Sequence, residues 1–280
     1  MRPQPWGSPA GAGQVIPYAA QAMTPSQMEQ LAGVALEVAQ EAAALVLPAH
    51  RTHVATTEKA RSDLVTEYDL KSERLIRARL AERTPSLHVV GEEEGGEASG
   101  ATWYCDPIDG TTNFVHGHPF FCVSIGLVEN GEPVLGAVVA PALGLCWHGF
   151  VGGGAWRNGQ PCRVSDTAEL GAGLVSTGFH PRWVGKPPND NLASFTRVLG
   201  QARGVRRCGA AALDLCMVAD GTYEAYWERG LNAWDVAAGV ALVRAAGGRA
   251  TDLQGGPLEL TRGDVVASNG GVHEALLAAL

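Results

Sequence analysis

One stretch of this chain decides its fold: Trp103-Tyr104-Cys105-Asp106-Pro107-Ile108-Asp109-Gly110-Thr111-Thr112-Asn113. Two aspartates lie three positions apart, and the proline between them holds the backbone in one bend and cannot extend a central strand. The glycine, two threonines and asparagine that follow suit a turn into a helix start, where free backbone N–H groups bind phosphate oxygens. Asp-Pro and Asp-Gly pairs are common in turns, so the longer string, and not the aspartates alone, predicts a site for metal and phosphate.

Acidic residues elsewhere in the chain are candidates to join this stretch. Glu92-Glu93-Glu94 directly follows an apolar segment and a glycine, where a binding loop or a solvated loop is expected. Asp235 opens a predicted helix, and Asp69 lies near the start of another; such acids either complement the helix dipole or ligate a metal. Hard carboxylate oxygens without a matching set of histidines or cysteines favour Mg²⁺ or Mn²⁺ over zinc.

Length and composition limit the classes of protein to consider. The 280 residues fit one large domain or two intimate subdomains, and 46% of them are hydrophobic. The net charge is -8, and the short basic run from Arg203 to Arg207 is interpreted as a solvated face, so nucleic acid is not expected as a partner. The six cysteines form no C-x-x-C pair, which suggests reduced thiols and a cytoplasmic location. No apolar run reaches about 18 residues, so we expect no transmembrane helix and no membrane partner.

The pattern along the chain predicts an α+β fold with layered elements and two sheets. Thr24-Pro25-Ser26-Gln27 has the form of a capping box, followed by apolar residues at helical spacing. Helices are predicted over 25–48, 66–83, 191–199, 210–218, 234–246 and 273–280, and strands over 88–90, 102–105, 121–128, 134–139, 145–151, 173–177, 223–227 and 265–267. We expect residues 1–22 to be a disordered tail and 23–280 a single domain, with halves 23–155 and 156–280.

Four strings together resemble the inositol monophosphatase family of lithium-sensitive, magnesium-dependent sugar phosphatases. They are Ser62–Asp69, Gly91–Glu93, Trp103–Phe121, and Trp234–Gly239 with the following Ala246–Gly248. The match runs from about Thr24 to Leu280. This resemblance implies a layered αβαβα sandwich of the inositol monophosphatase and fructose-1,6-bisphosphatase type, and a homodimer.

The resemblance also implies which residues bind metal. Glu92, Asp106 and the carbonyl group of Ile108 would hold a first Mg²⁺, and Asp106, Asp109 and Asp235 a second. A third, weaker Mg²⁺ would depend on Glu92, which is thus both a metal ligand and a catalytic residue. Two to three Mg²⁺ ions per site are therefore implied, with Mn²⁺ as a possible substitute.

Further roles follow from the same resemblance. Thr111, with Asp69 behind it, would position and deprotonate the attacking water, and the N–H groups of Gly110 and Thr111 would hold the phosphate. Glu228 would bind a substrate hydroxyl. Additional matches are Gly209 and Ala210, which would line the substrate, and Lys59, which is one residue closer to Asp69 than the family pattern leads us to expect.

The implied function is a Mg²⁺-dependent phosphomonoesterase that hydrolyses inositol monophosphate or a similar small polyol phosphate through a metal-activated water. Histidinol-phosphate phosphatase is an alternative, in which Glu228 would pair with an amine, and fructose-1,6-bisphosphatase is another. A regulatory module that keeps the fold but binds a protein partner is an alternative of a different class.

Overall fold

A computed structural model describes residues 23–60, 63–180, 183, 185, 186 and 190–280, with the backbone alone at residues 59, 60 and 63. The predicted tail 1–22 lies outside the described residues. The helices are α1 (Pro25–Val46), α2 (Glu67–Arg83), α3 (Thr111–Val115), α4 (Leu192–Leu199), α5 (Ala211–Ala219), α6 (Ala233–Ala245) and α7 (His273–Ala279). The strands are β1 (Thr56–Ala60), β2 (Asp63–Thr66), β3 (His88–Gly91), β4 (Thr102–Asp109), β5 (Cys122–Glu129), β6 (Glu132–Ala140), β7 (Leu145–Phe150), β8 (Gly154–Arg157), β9 (Gln160–Cys162), β10 (Leu174–Thr177), β11 (Gly204–Arg206), β12 (Ala225–Glu228), β13 (Arg249–Thr251) and β14 (Val265–Ser268).

The larger sheet holds β3 to β9 in chain order, and its central strands β4 to β7 are largely buried on both faces. Along β5, Val123, Ile125 and Leu127 point into the core under α1 and α2, and Cys122 points into the core under α5 and α6. Such alternation is what a strand with two covered faces requires. The predicted hairpin around Asn130-Gly131 is confirmed, since β5 and β6 pair antiparallel through it.

Helices α1 and α2 cover one face of this sheet. The predicted capping box of α1 is confirmed, because Thr24 and Gln27 exchange hydrogen bonds. We expected no transmembrane helix because no unbroken apolar run reaches about 18 residues; among the described residues, one helix nevertheless has the length and composition of a membrane span. This helix spans Pro25–Ala49, and half of its most apolar 18-residue stretch is buried inside the protein. Its apolar residues line the core, and a core helix commonly has this composition.

Helix α6 packs against the opposite face of the larger sheet, and two glycines admit it. Gly126 and Gly136 are paired across β5 and β6. A Cβ on Gly126 would lie 2.5 Å from the backbone nitrogen of Ala238, and one on Gly136 would overlap the carbonyl group of Ala238. The missing side chains therefore let the helix backbone approach the strands closely, which fixes the position of α6 on this sheet.

A second sheet lies beyond α5 and α6, with strand order β11-β10-β12-β14-β13. Its outer face packs against α4 and α7 through Val175, Trp227, Val266, Val198 and Leu276. The layers therefore run helix, sheet, helix, sheet, helix, which confirms the αβαβα prediction.

Some elements differ from the expectation. The hairpin of β1 and β2, and the short strands β11 and β13, were not predicted, because their three to five residues carry little apolar alternation. Strands β3 and β4 run parallel in an otherwise antiparallel sheet. The division of the domain at residue 155 stays a prediction; β8 (Gly154–Arg157) runs across that point and belongs to the larger sheet.

Candidate active site

The two aspartates of the deciding stretch face the same side of β4 because the strand is bulged. Residues three apart on a regular strand lie on opposite faces. Here Asp106 pairs with Ser124 and Asp109 with Cys122, so β4 carries one extra residue between these two pairs. A bulge of this kind re-aims side chains. Asp106 Oδ1 also accepts a hydrogen bond from the Ile108 N–H (2.9 Å), which fixes its carboxyl group at the bend.

Helix α5 holds the second aspartate from its N-terminus. The N–H groups of Ala211 and Ala212 donate to Asp109 Oδ1 and Oδ2, at 3.2 and 2.8 Å. Burial raises the pKa of Asp109 to about 7, against the lowering effect of these hydrogen bonds. Asp109 thus links the larger sheet to the helix layer beside it.

The turn after Asp109 carries the predicted phosphate cradle and water-positioning pair. Gly110 has φ +89°, and a Cβ there would lie 3.1 Å from the Gly209 carbonyl oxygen, so glycine suits this position. The Thr111 hydroxyl lies 3.2 Å from Asp69 Oδ1 and 3.0 Å from the Ile108 carbonyl oxygen. A hydroxyl has one proton to donate, so it serves one of these acceptors at a time.

Asp69 lies behind Thr111 and is fully buried. Its Oδ2 accepts hydrogen bonds from the N–H of Thr66 (2.8 Å) and the hydroxyl of Thr66 (2.6 Å), which completes the N-terminal cap of α2. Burial raises the pKa of Asp69, opposed by these hydrogen bonds and the one from Thr111. Asp69 therefore has both a structural partner and a partner at the site.

Asp235 reaches the site from the first turn of α6. Its Oδ2 accepts a hydrogen bond from the Asn232 N–H (2.7 Å), so it also caps its own helix. Burial raises the pKa of Asp235 to about 8, and the charges of Asp109 and Glu228 add to the rise. The close packing of α6 on Gly126 and Gly136 brings this carboxyl group to the end of β4.

Apart from Asp69, which lies behind Thr111, these side chains line one cavity of about 190 Å³. Its lining residues are Glu92, Asp106, Ile108, Asp109, Gly110, Thr111, Phe179, His180, Arg207, Ala211, Glu228, Leu231 and Asp235. The pKa of Asp106 is raised well above its usual value by burial first and then by the charges of Glu92, Asp109 and Asp235. Carboxylates buried this close together need protons or cations to balance their charge.

The donor set fits hard divalent cations, which bind oxygen ligands. Across the described part of the chain, no three His, Cys, Asp or Glu side chains are already arranged to hold a metal ion. The carboxyl groups of Asp106, Asp109 and Asp235 instead accept backbone hydrogen bonds. A carboxylate has about four acceptor positions, so these bonds leave lone pairs that point elsewhere. The residues therefore suit Mg²⁺ by their chemistry and shared cavity.

Glu228 lines the cavity from the end of β12. It is 8% exposed, and its Oε2 accepts a hydrogen bond from the Tyr226 hydroxyl at 2.5 Å. Burial raises the pKa of Glu228 to about 7, while the Tyr226 bond and the positive charge of Arg207 lower it. A carboxyl group in this setting can accept a hydrogen bond from a ligand hydroxyl.

Gly209 and Ala210 lie next to the cavity without lining it. The Gly209 carbonyl oxygen and the Ala210 Cβ contact the back of Gly110, and Ala211 forms the wall instead. Asn113 ties these turns together, because its Nδ2 donates to the carbonyl groups of Phe120 and Cys208, at 2.6 and 2.8 Å. Their role in substrate binding stays a prediction. Lys59 lies in β1, and its side chain is outside the described part of the structure.

Sequence reasoning missed five cavity residues, which are Phe179, His180, Arg207, Ala211 and Leu231. Arg207 belongs to a short basic run that we interpreted as a solvated face. Strand β11 ends at Arg206, and the chain then turns toward α5, which brings the next arginine to the cavity. Ala211 is the first residue of α5, and the other three residues follow the ends of β10 and β12 without any motif of their own.

Comparison with known proteins gives one consistent result. The sequence profile described as the inositol monophosphatase family matches residues 27–280. An inositol-1-monophosphatase of Synechocystis sp. is 38% identical over 92% of this chain and 91% of its own length. The Nus factor SuhB of Pseudomonas aeruginosa is 39% identical over 90% of this chain and 96% of its own.

Solved structures agree with these sequence relatives. The inositol monophosphatase of Anabaena (Nostoc) superimposes with a TM-score of 0.81 and 37% identity, covering 90% of this chain and 95% of that one. The fold, the match over nearly the whole domain and the deciding stretch all lead to the same assignment. The chain belongs to the inositol monophosphatase family and is a phosphoric monoester hydrolase.

Proposed function

We propose that this protein hydrolyses inositol monophosphate or a similar small polyol phosphate, with Mg²⁺ held by Glu92, Asp106, Asp109, Asp235 and the carbonyl group of Ile108. The observation that carries the proposal is the shared cavity, which all of these residues line although they lie up to 143 positions apart in the sequence. The family is generally metal-dependent and acts on small phosphorylated substrates, and the oxygen-rich lining of this cavity suits a hard cation beside a phosphate.

When bound, Mg²⁺ supplies positive charge to the phosphoryl group and the leaving oxygen and makes a water more acidic. The protein positions the reactants around it. Gly110 and Thr111 turn their backbone N–H groups toward the phosphate at the start of α3, since this end of a helix has unpaired donors. The buried floor of the cavity keeps bulk water from the reacting atoms.

Thr111 and Asp69 move the proton. When the Thr111 hydroxyl donates to Asp69 Oδ1, its lone pairs are free to accept a proton from the attacking water. Burial raises the pKa of Asp69, which makes its carboxylate a stronger proton acceptor than an exposed aspartate. A proton can thus pass from the water through Thr111 Oγ1 to Asp69.

Glu228 and Arg207 determine which alcohol, as its phosphate ester, is preferred as the substrate. Glu228 accepts a hydrogen bond from a substrate hydroxyl. The positive charge of Arg207 already lowers the pKa of this carboxyl group, and it would repel an ammonium group placed there. This charge favours a polyol phosphate over histidinol phosphate, which carries an amine.

A phosphate-release assay with Mg²⁺ tests the proposal. The panel consists of myo-inositol 1-phosphate, histidinol phosphate and fructose 1,6-bisphosphate, with Asp106→Asn as the inactive control. We expect the highest kcat/KM with the inositol ester. Faster hydrolysis of histidinol phosphate or the bisphosphate would reject the substrate assignment, and no release from any ester would reject phosphatase activity on this substrate class.

The homodimer, the cytoplasmic location and inhibition by lithium belong to the same proposal. Sedimentation of the purified protein, fractionation of cells and a Li⁺ titration of the phosphatase activity test them in turn. A second candidate function is binding to a protein partner in a regulatory role, and its support is the Nus factor name of the Pseudomonas aeruginosa relative. A partner recovered equally with wild type and with the Asp106→Asn variant would favour this second function.

A further inference from the structure

A buried glutamate lies behind the Glu92 loop and does not line the cavity. Glu73, in the second turn of α2, is 0% exposed. Its Oε2 accepts a hydrogen bond from the Glu93 N–H at 2.6 Å, and its Oε1 accepts one from the Glu94 N–H at 2.9 Å. A buried carboxylate is tolerated only with such partners, so these two bonds fix the backbone directly after Glu92.

Arg77 completes this contact one helical turn later. Its Nε donates to Glu73 Oε1 at 2.8 Å, which balances the buried charge. Its two terminal nitrogens donate to the carbonyl groups of Val89, at 3.2 Å, and of Gly95. The Glu73–Arg77 pair therefore holds the loop from both ends, while the Gly91 N–H closes it by donating to the Gly95 carbonyl oxygen at 2.9 Å.

Gly91 leaves the space that the buried carboxylate occupies. A Cβ on Gly91 would overlap the carboxyl group of Glu73, and the backbone of Gly91 has no positive φ that would require glycine. The absence of a side chain is thus explained by packing against Glu73. The Gly-Glu-Glu string and the glutamate of α2 form one unit.

Helix α2 connects Glu73 to other residues of the site. Asp69 and Glu73 are four residues apart and share one face of the helix. Asp69 supports Thr111, and Ser72, next to Glu73, donates through its Oγ to the Pro107 carbonyl oxygen at 3.1 Å. One helix therefore supports the Glu92 loop, the bend of the metal-binding stretch and the water-positioning threonine.

We propose that Glu73, paired with Arg77, is a positioning residue that sets the Glu92 carboxylate for cation binding. The inference rests on the proposed role of Glu92 as a metal ligand. Glu73 acts through the backbone of Glu93 and Glu94 and does not touch the substrate. Outer partners of metal ligands typically change metal affinity by about 10- to 100-fold when they are removed.

The test is the variant Glu73→Gln. Glutamine keeps one acceptor oxygen and replaces the other with an NH₂ group. If the NH₂ group takes the place of Oε2, the bond from the Glu93 N–H is lost; if it takes the place of Oε1, the bonds from the Glu94 N–H and Arg77 are lost. The matched control is Glu82→Gln on the same helix, because the Glu82 side chain is 66% exposed and pairs only with Arg79 among the described residues.

Two readouts separate positioning from a purely structural role. Mn²⁺ binding is counted by electron paramagnetic resonance of the free ion, without any substrate, and amide hydrogen exchange of the metal-free protein reports on residues 91–95. For Glu73→Gln we expect at least about tenfold weaker Mn²⁺ binding and faster exchange in this loop. Glu82→Gln should match wild type in both. Melting in EDTA records the stability of each variant.

Two further variants keep the proposal falsifiable if Glu73→Gln does not fold. Gly91→Ala displaces the carboxylate sterically, and Arg77→Met removes its counter-charge; both should weaken Mn²⁺ binding in the same direction. Unchanged Mn²⁺ affinity in a folded variant, with only a lower melting temperature, would overturn the positioning role while leaving the proposed function intact. Failure of wild type itself to bind Mn²⁺ would overturn both.

Discussion

The substitution Asp69→Asn separates catalysis from helix capping in one side chain. In wild type, Asp69 Oδ2 accepts from the N–H and the hydroxyl of Thr66, and Oδ1 accepts from the Thr111 hydroxyl. Asparagine can keep its carbonyl oxygen on Thr66 and thus preserve the cap of α2. Its NH₂ group then faces Thr111 as a donor, so the hydroxyl donates to the Ile108 carbonyl oxygen instead and the path to a carboxylate is lost.

The expected magnitude follows from the loss of one general base. Such groups contribute about 10²- to 10⁴-fold to rate, or roughly 3–5 kcal/mol of transition-state stabilisation. We expect kcat to fall by that factor while the Mg²⁺ concentration for half-maximal activity and the melting temperature change little. Asp69→Ala should lose activity and also about 1–2 kcal/mol of folding stability, because the cap is removed.

The assay is phosphate release at saturating Mg²⁺, with chemical denaturation of each variant in parallel. Thr111→Ala is the partner substitution, and the double variant should be no slower than Thr111→Ala alone, since both changes interrupt one hydrogen bond. A kcat for Asp69→Asn within about threefold of wild type would refute this reasoning.

Three further outcomes are expected. Burial raises the pKa of Asp109 to about 7 and that of Asp235 to about 8, so the folded protein binds more protons than the unfolded chain above about pH 4. Melting curves in EDTA should therefore show stability falling as the pH rises to 8. Added Mg²⁺ should raise the melting temperature more at pH 8 than at pH 5. Equal melting temperatures at both pH values in EDTA would contradict this. Gly136→Ala should cost about 1–3 kcal/mol in denaturant titrations and weaken Mn²⁺ binding by shifting α6, whereas Gly33→Ala, with open space around it on α1, should stabilise by roughly 0.5–1 kcal/mol. Glu228→Gln should change the ranking of polyol phosphates by KM, and an unchanged ranking would remove it from substrate selection.

The sequence predicted those parts of the fold that have local signals. The capping residues of α1, the Asn130-Gly131 hairpin and the order of helices and strands follow from spacing and turn chemistry. The layer order was predicted from the family resemblance, because no local sequence pattern indicates which helices lie between the two sheets. Helix α1 shows the reverse case, because its apolarity is visible in sequence but its place in the core is not.

The candidate site divides in a similar way. Asp106 and Asp109 could be singled out because the whole string around them is unusual. Glu73 could not be singled out, because a glutamate within a charged helix normally faces water. Only the folded structure shows that it lies under the Glu92 loop. Arg207 was missed because the sequence of a short basic run does not indicate which of its arginines faces the cavity.

The most direct test of the account is the position of bound cations. A crystal of the protein soaked in Mn²⁺ locates these ions by anomalous scattering. We predict at least two peaks within the cavity, bounded by Glu92, Asp106, Asp109 and Asp235. An empty cavity at saturating Mn²⁺, or ions bound only elsewhere on the surface, would contradict the central claim.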